Sequence, residues 1–178
     1  MLKVGLISDS HRRDDVAKFA IDYLLKKEID LLIHAGDIVE EKTLFDMKNC
    51  GVPYVAVLGN NDFHLAQYMK KFKIFNEPHL FEFRNFKFKL MHRPFYLNNV
   101  NNDVVVYGHT HKFIAGVTKN TLFINPGEIC ARNKGLHEFA YFTCQKNDSV
   151  NKFEVYKVES LRDKFEWKES KLKLWAEF

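Results

Sequence analysis

Carboxylates, imidazoles and one amide recur at the ends of apolar runs in this sequence. Asp9 and His11 follow the run that begins at Leu2, Asp37 follows Leu31–Ala35, and Asn60 and Asp62 follow Tyr54–Leu58. His92 follows Phe86–Met91, and His109 and His111 follow Val104–Tyr107. Carboxylate oxygen, amide oxygen and imidazole nitrogen together suit borderline divalent ions such as Mn²⁺, Fe²⁺, Co²⁺, Ni²⁺ or Zn²⁺. In Asp9-Ser10-His11 and His109-Thr110-His111 the outer residues of an extended segment point the same way, so both reach one centre. The set Asp9, His11, Asp37, Asn60, His92, His109 and His111 exceeds what one tetrahedral ion holds, whereas two ions sharing a carboxylate use it all. Two cations ~3.5–4 Å apart clamp the attacking and leaving oxygens of a phosphoryl displacement and lower the pKa of a trapped water. Gly36, Gly59 and Gly108 each precede a candidate ligand, where a tight backbone lets the side chain turn inward.

Strands must carry these residues to one edge. Leu2–Ser8, Leu31–Ala35 and Tyr54–Leu58 read as buried strands. Between them, Asp14–Lys27 places Val16, Phe19, Ala20, Tyr23 and Leu24 at helical spacing, with Asp14 and Asp15 at the positive end of the helix dipole. Glu40–Lys48 reads as a short helix, and Asn61–Lys71 reads as helical. A β-α-β-α-β order predicts a parallel sheet with helices packed on it, and such sheets bind ligands beyond the carboxyl ends of their strands. The second half changes character. Leu80–Phe83 and Phe86–Met91 alternate about Arg84-Asn85, a hairpin signal. Val104–Tyr107, Phe113–Val117, Leu122–Ile124, Phe139–Thr143 and Phe153–Val158 follow as short strands, with turns at Lys119-Asn120, Asn125-Pro126-Gly127 and Lys146-Asn147-Asp148. The pattern predicts a mostly antiparallel second half and two sheets stacked face to face with helices outside. Residues 1–178 read as one domain. Ser160–Phe178 reads as a C-terminal extension of unknown role, compatible with a helix packed on the core or on a second subunit.

Composition narrows the function classes. A chain of 178 residues suffices for one sizeable core. The net charge of +4 permits an anionic substrate without demanding nucleic acid. Three cysteines without a C-x-x-C spacing speak against a disulfide framework or a thiolate zinc knuckle. The N-terminal apolar stretch is too short for a signal peptide, and no segment approaches the ~20 apolar residues that span a bilayer. The expected location is therefore cytoplasmic, with no membrane partner.

The blocks D-x-H (Asp9, His11), G-D (Gly36, Asp37), G-N-x-D (Gly59, Asn60, Asp62), a single His (His92) and G-H-x-H (Gly108, His109, His111), in this order, resemble the calcineurin-like metallophosphoesterase superfamily. The short length resembles its small single-domain prokaryotic phosphodiesterases. The likeness runs from Asp9 to about Gly127, and Asn125-Pro126-Gly127 matches a turn typical of that branch. The resemblance implies one metal held by Asp9, His11, Asp37 and His111, and a second held by Asp37, Asn60, His92 and His109. Asp37 would bridge the two together with the attacking hydroxide, and Asp37, Asn60 and His109 would be the catalytic set. The implied fold is a four-layer α/β/β/α sandwich, with two stacked mixed sheets flanked by helices.

Two departures qualify the resemblance. Many superfamily members carry a general-acid His where this chain has Asn61, and lost acid catalysis is worth ~10²–10⁴-fold. His92 is followed by Arg93-Pro94, where the branch usually has Gly-His; Arg93 either holds a phosphate by a charge-assisted contact or faces solvent. Asp62 reads as a residue supporting the ligands or capping a helix. His34, His79 and His137 read as packing residues, and so does His64 in preference to a substrate contact, although it follows the G-N-x-D block. The aromatic and basic stretch Phe83–Lys89 is explained by strand alternation and lysines facing water, without nucleic acid.

The expected function is hydrolysis of a small or nucleotide-like phosphodiester through a hydroxide held by two divalent ions, with Mn²⁺ favoured. A homo-oligomer is compatible with the sequence. The competing reading is a scaffold that keeps the fold without the chemistry, as a retromer subunit of this fold does. Such proteins lose metal ligands, and this chain keeps all seven.

Overall fold

The computed structural model describes residues 1–97, 101–147 and 150–177. The turn expected at Lys146-Asn147-Asp148 and the end of the C-terminal segment at Phe178 reach outside the described residues.

Every apolar run ending in a candidate ligand folds as a strand. In chain order the strands are β1 (Leu2–Ile7), β2 (Leu31–His34), β3 (Tyr54–Val57), β4 (Ile74–Phe75), β5 (His79–Phe83), β6 (Phe86–Leu90), β7 (Val104–Val106), β8 (Phe113–Thr118), β9 (Thr121–Pro126), β10 (Leu136–Asn147), β11 (Val150–Leu161), β12 (Lys168–Lys171) and β13 (Trp175–Glu177). The α-helices are α1 (Asp14–Lys26) and α2 (Glu41–Lys48). One sheet has the order β12-β11-β10-β1-β2-β3-β4, and the other β13-β8-β9-β7-β6-β5.

Both sheets are mixed, and the division between them does not follow the two halves of the sequence. β1 to β4 run parallel, and β10 then returns antiparallel alongside β1, with Leu6 opposite Ala140. In the second sheet β6, β7 and β9 are parallel, while β5 and β8 add antiparallel pairings. β1 and β2 are continuous apolar runs because both of their faces are covered. Within β1, Val4 and Leu6 share a cluster with Phe88, Leu90, Val106 and Ile124 of the second sheet, while Ile7 packs with residues of α1 and α2.

The two α-helices lie on the first sheet, where Val16, Ala20, Leu24, Leu44 and Met47 pack against Leu32, Ala56 and Phe139. Acidic residues open α1 and Lys26 closes it, which matches the helix dipole at both ends. Among the described residues no α-helix covers the second sheet. Its outer face buries Met91, Val105 and Tyr107 in a small cluster. No described helix is long and apolar enough to cross a membrane.

One expectation is narrowed and another corrected. The segment Asn61–Lys71 contains a 3-10 helix, Phe63–Tyr68, and the side chain of the preceding Asp62 makes no capping bond to it. The segment after Ser160 is not helical. β12 extends the first sheet beside β11, and β13 runs parallel to β8 at the edge of the second. The C-terminal segment thus reaches both sheets of its own chain.

Candidate metal centre

The carboxyl ends of β1, β2, β3, β6 and β7 meet at one place between the sheets. Asp9, Asp37, His92 and His111 are buried there, His11 is half-buried, and Asn60 and His109 lie on the exposed side. The chain must turn sharply at each strand end. Asp9 (φ 52°), His11 (47°), Asp37 (54°), His109 (65°) and His111 (57°) all adopt left-handed backbone, which is uncommon for residues with a side chain. Clustered strain of this kind persists where the surroundings over-determine it, typically at functional sites.

Glycine permits the strand ends to approach. A Cβ at Gly108 would stand 2.2 Å from Ser8 Oγ and 2.8 Å from Asp9 Oδ2. A Cβ at Gly59 would stand 2.2 Å from the Asp37 backbone nitrogen. Neither glycine has a positive φ, so close packing rather than a special dihedral demands it.

The ligand atoms converge in two groups. Asp9, Asp37 and His92 each present an atom within 4.8 Å of the others, and so do His11, His111 and Cys130. His92 Nδ1–H donates to the Ala35 carbonyl at 2.9 Å, which leaves Nε2 as an acceptor. That Nε2 faces two oxygens, Asn60 Oδ1 at 3.1 Å and Asp37 Oδ1 at 3.4 Å. His111 Nδ1–H donates to the buried Glu128 carboxylate, and its Nε2 faces Asp9 Oδ1 at 3.3 Å. His11 Nε2 lies 3.6 Å from Asp37 Oδ2. Acceptors crowded against acceptors require a proton or a cation between them. The buried Asp9 Oδ1 and His11 Nε2 have no hydrogen-bond partner at all among the described residues, a rare and costly condition. The donor set therefore fits divalent metal.

The electrostatics agree. Burial pushes the Asp9 carboxyl up to about 6, against the opposing pull of His92, Ser8 and His111. Burial also acts on Asp37, but His92 and the two hydrogen bonds from Asn61 outweigh it and hold that carboxyl well below the usual range. The Asn61 contacts are its backbone N–H to Oδ1 at 2.9 Å and its amide to Oδ2 at 2.7 Å. Burial keeps His11 and His109 below the ordinary imidazole value, hence neutral and able to ligate near pH 7. For His92, burial is outweighed by Asp37 and Asp9, and the value is raised.

A supporting ring holds the ligands. Asp62 is fully buried and accepts from the backbone N–H groups of Ile38, Val39 and Gly59 at 2.8–3.0 Å, tying the loop of Asp37 to that of Asn60. Glu128 accepts the backbone N–H groups of Arg132, Asn133 and Lys134 besides His111. Sequence reasoning passed over Glu128 and Cys130. The only signal was their place just after the Asn125-Pro126-Gly127 turn. Arg93, offered as a phosphate contact, lies 3.7 Å from Glu77 and beside the Phe95 ring. Of the histidines read as packing, His34 is buried and bonded to Ser10 Oγ at 2.9 Å. His64 is exposed and contacts the Val39 carbonyl.

A doubly sheeted α/β domain with Asp, Asn and His gathered at its strand ends defines a metal-dependent phosphoesterase. Residues 2–147 match the model of the calcineurin-like phosphoesterase superfamily domain, and the chain belongs to that family. It is similar to a phosphodiesterase of Methanocaldococcus jannaschii, 26% identical over an alignment of 159 residues that covers 83% of this chain and 96% of that protein. The protein YsnB of Bacillus subtilis, named a probable metallophosphoesterase, is 27% identical over 85% of this chain and 90% of its own. Among solved structures, a novel archaeal phosphodiesterase superposes with a TM-score of 0.71 at 25% identity, covering 86% of this chain and 99% of that one. Vps29 of Entamoeba histolytica in complex with zinc shares the fold at a TM-score of 0.66 and 20% identity, over 96% of this chain and 98% of that one.

Proposed function

We propose that the chain is a phosphodiesterase with two divalent metal ions. In this reading Asp9, His11, Asp37 and His111 hold one ion, and Asp37, Asn60, His92 and His109 hold the other, with Asp37 shared. The observation that carries it is the buried Asp9 Oδ1 and His11 Nε2, two polar atoms without a hydrogen bond among the described residues. Family membership and the likeness to archaeal phosphodiesterase support the reaction class.

Bound there, two divalent cations supply charge that offsets the anionic substrate and a water ionised near neutral pH. The residues of the chain do the positioning. His92 and His111 are oriented by Ala35 and Glu128, so their Nε2 lone pairs point inward. Asn60 and His109, on the exposed side, border the face from which a substrate arrives. Asn61 has no ionisable proton, so it cannot protonate a leaving group. Activity is accordingly expected on esters whose leaving group departs unaided. We assign a small or nucleotide-like diester as substrate and Mn²⁺ as the favoured ion. Arg93 remains assigned to substrate binding, its side chain beside Glu77 being 40% exposed.

The test is to reconstitute metal-free protein with Mn²⁺, Ni²⁺ or Zn²⁺ and assay an activated phosphodiester beside the matching monoester. The expected result is metal-dependent diester hydrolysis, reduced at least ~10²-fold in Asp37→Asn and His109→Ala. A folded, metal-loaded protein without turnover would contradict the proposal and favour a scaffold.

A further inference from the structure

We infer that the substrate carries a second phosphate group, held by Arg12, Arg132 and Arg162 in a cavity opening beside His11; the inference rests on the phosphodiesterase reading above. The chain has six arginines. Three are matched with carboxylates: Arg13 with Asp15, Arg84 with Asp30 and Arg93 with Glu77. The other three have no side-chain partner among the described residues, and all three line one cavity, whose wall also includes Arg13. Its volume is about 630 Å³, and among the described residues no Asp or Glu belongs to its wall. His11 and Asn61 form the side nearest the metal centre.

Gathering like charges around one space is repulsive, and an anion placed among them reverses the sign of that energy. Guanidinium forks match phosphate oxygens in pairs, which makes arginine the usual residue for this recognition. Two of these arginines sit on anchored backbone. Arg132 N–H donates to Glu128 at 3.0 Å, and Arg162 N–H donates to the Gly135 carbonyl at 2.9 Å. Arg12 sits immediately after the candidate ligand His11. All three side chains are exposed, within reach of an anion arriving from solvent. The cavity volume lies within the ~300–1,000 Å³ typical of small-molecule sites, so it admits a nucleotide-sized group. A net charge of +4 says nothing of this, because the effect comes from where three of the charges stand. Arg162 lies beyond residues 2–147, so one wall of the cavity is built by a part of the chain outside the family match.

The experiment compares kcat/KM of the Mn²⁺-loaded, full-length protein on two substrates. One is a nucleoside p-nitrophenyl phosphodiester, and the other is the same compound with an added phosphate on its sugar. The wild type is expected to favour the phosphorylated compound by about tenfold or more, the size of one charge-assisted contact. Arg132→Gln and Arg162→Gln should each cut that ratio about tenfold, and Arg84→Gln, paired with Asp30 elsewhere, should leave it unchanged. Turnover of the plain diester without any preference in the wild type would overturn the inference and leave the phosphodiesterase reading intact. If neither compound is hydrolysed, that reading fails and binding decides about the cavity. Inorganic triphosphate titrated into the metal-free chain should then bind at least about tenfold more weakly to the Arg132→Gln/Arg162→Gln double variant. Equal affinity, or no binding to the wild type, would overturn the inference.

Discussion

Glu128 turns His111 toward Asp9. Its buried carboxylate takes the Nδ1–H of His111, and the opposite ring nitrogen then stands 3.3 Å from Asp9 Oδ1. Glu128 is itself held by three consecutive backbone N–H groups and by the Cys130 thiol. Burial alone would raise its pKa, but these donors outweigh burial and keep it below the usual carboxylate value. A charged Glu128 fixes both the tautomer and the direction of the ligand. Glu128→Gln keeps the shape and removes the charge. It should weaken Mn²⁺ binding about 10–100-fold, the usual effect of losing a partner of a metal-bound His. Competition with a metal indicator measures this, and an unchanged circular dichroism spectrum shows that the fold survives.

Asn61 stands where a proton donor would be useful. Its amide lies 2.7 Å from Asp37 Oδ2, and its side chain borders the cavity. Asn61→His should therefore raise turnover of diesters with poor, alkoxide-type leaving groups by up to ~10²–10⁴-fold, while p-nitrophenyl esters change little. Parallel assays on the two leaving groups would detect the difference. Equal effects on both would show that the position does not reach the leaving oxygen.

The C-terminal segment carries its own titration. Glu169 of β12 receives Tyr23 Oη at 2.7 Å and Tyr141 Oη at 3.0 Å, and pairs with Lys27 at 2.6 Å. Trp167 stacks on Phe19 of α1 with centroids 4.6 Å apart. Burial pushes the Glu169 carboxyl up, yet Lys27 and the two tyrosines outweigh it and the net value is lowered. A lowered carboxylate pKa contributes stability that is present above the unfolded value and lost as pH falls through the folded one. Docking of β12 should accordingly loosen below about pH 4.5, the ordinary value of a glutamate, ahead of the core. Hydrogen exchange at pH 6 and pH 3 would show protection lost first in Lys168–Lys171. Glu169→Gln should show the same loss already at pH 6.

Much of this was legible in the sequence because strand ends were marked twice, by an apolar run and by the Asp, Asn or His after it. Asp9, Asp37, His92 and His111 needed only that pattern. The hairpin about Arg84-Asn85 was legible from the alternation on either side of it, and both turn residues take left-handed backbone, φ 46° and 65°. The short strands were not. β4 is two residues long, and β12 reads Lys-Glu-Ser-Lys, all exposed, with no apolar alternation to announce it. Such strands exist because an edge already stands there to pair with. Asn61–Lys71 holds only the short 3-10 helix Phe63–Tyr68, and the Asp62 carboxylate in front of it accepts from the loop of Asp37 and from Gly59. Glu128 was invisible because three of its partners are backbone amides brought round by the following turn, and His111 meets it only in three dimensions. Of the four arginines lining the cavity, Arg12, Arg132 and Arg162 come from distant parts of the chain and meet only in three dimensions.

If Asp37 is the one carboxylate that joins two metal ions, crystals of the Mn²⁺-loaded protein measured at the manganese absorption edge will show it. Two anomalous peaks are expected ~3.5–4 Å apart on either side of Asp37, one beside Asp9, His11 and His111, the other beside Asn60, His92 and His109. A single peak at full Mn²⁺ occupancy, or a second peak away from Asp37, would contradict the shared carboxylate.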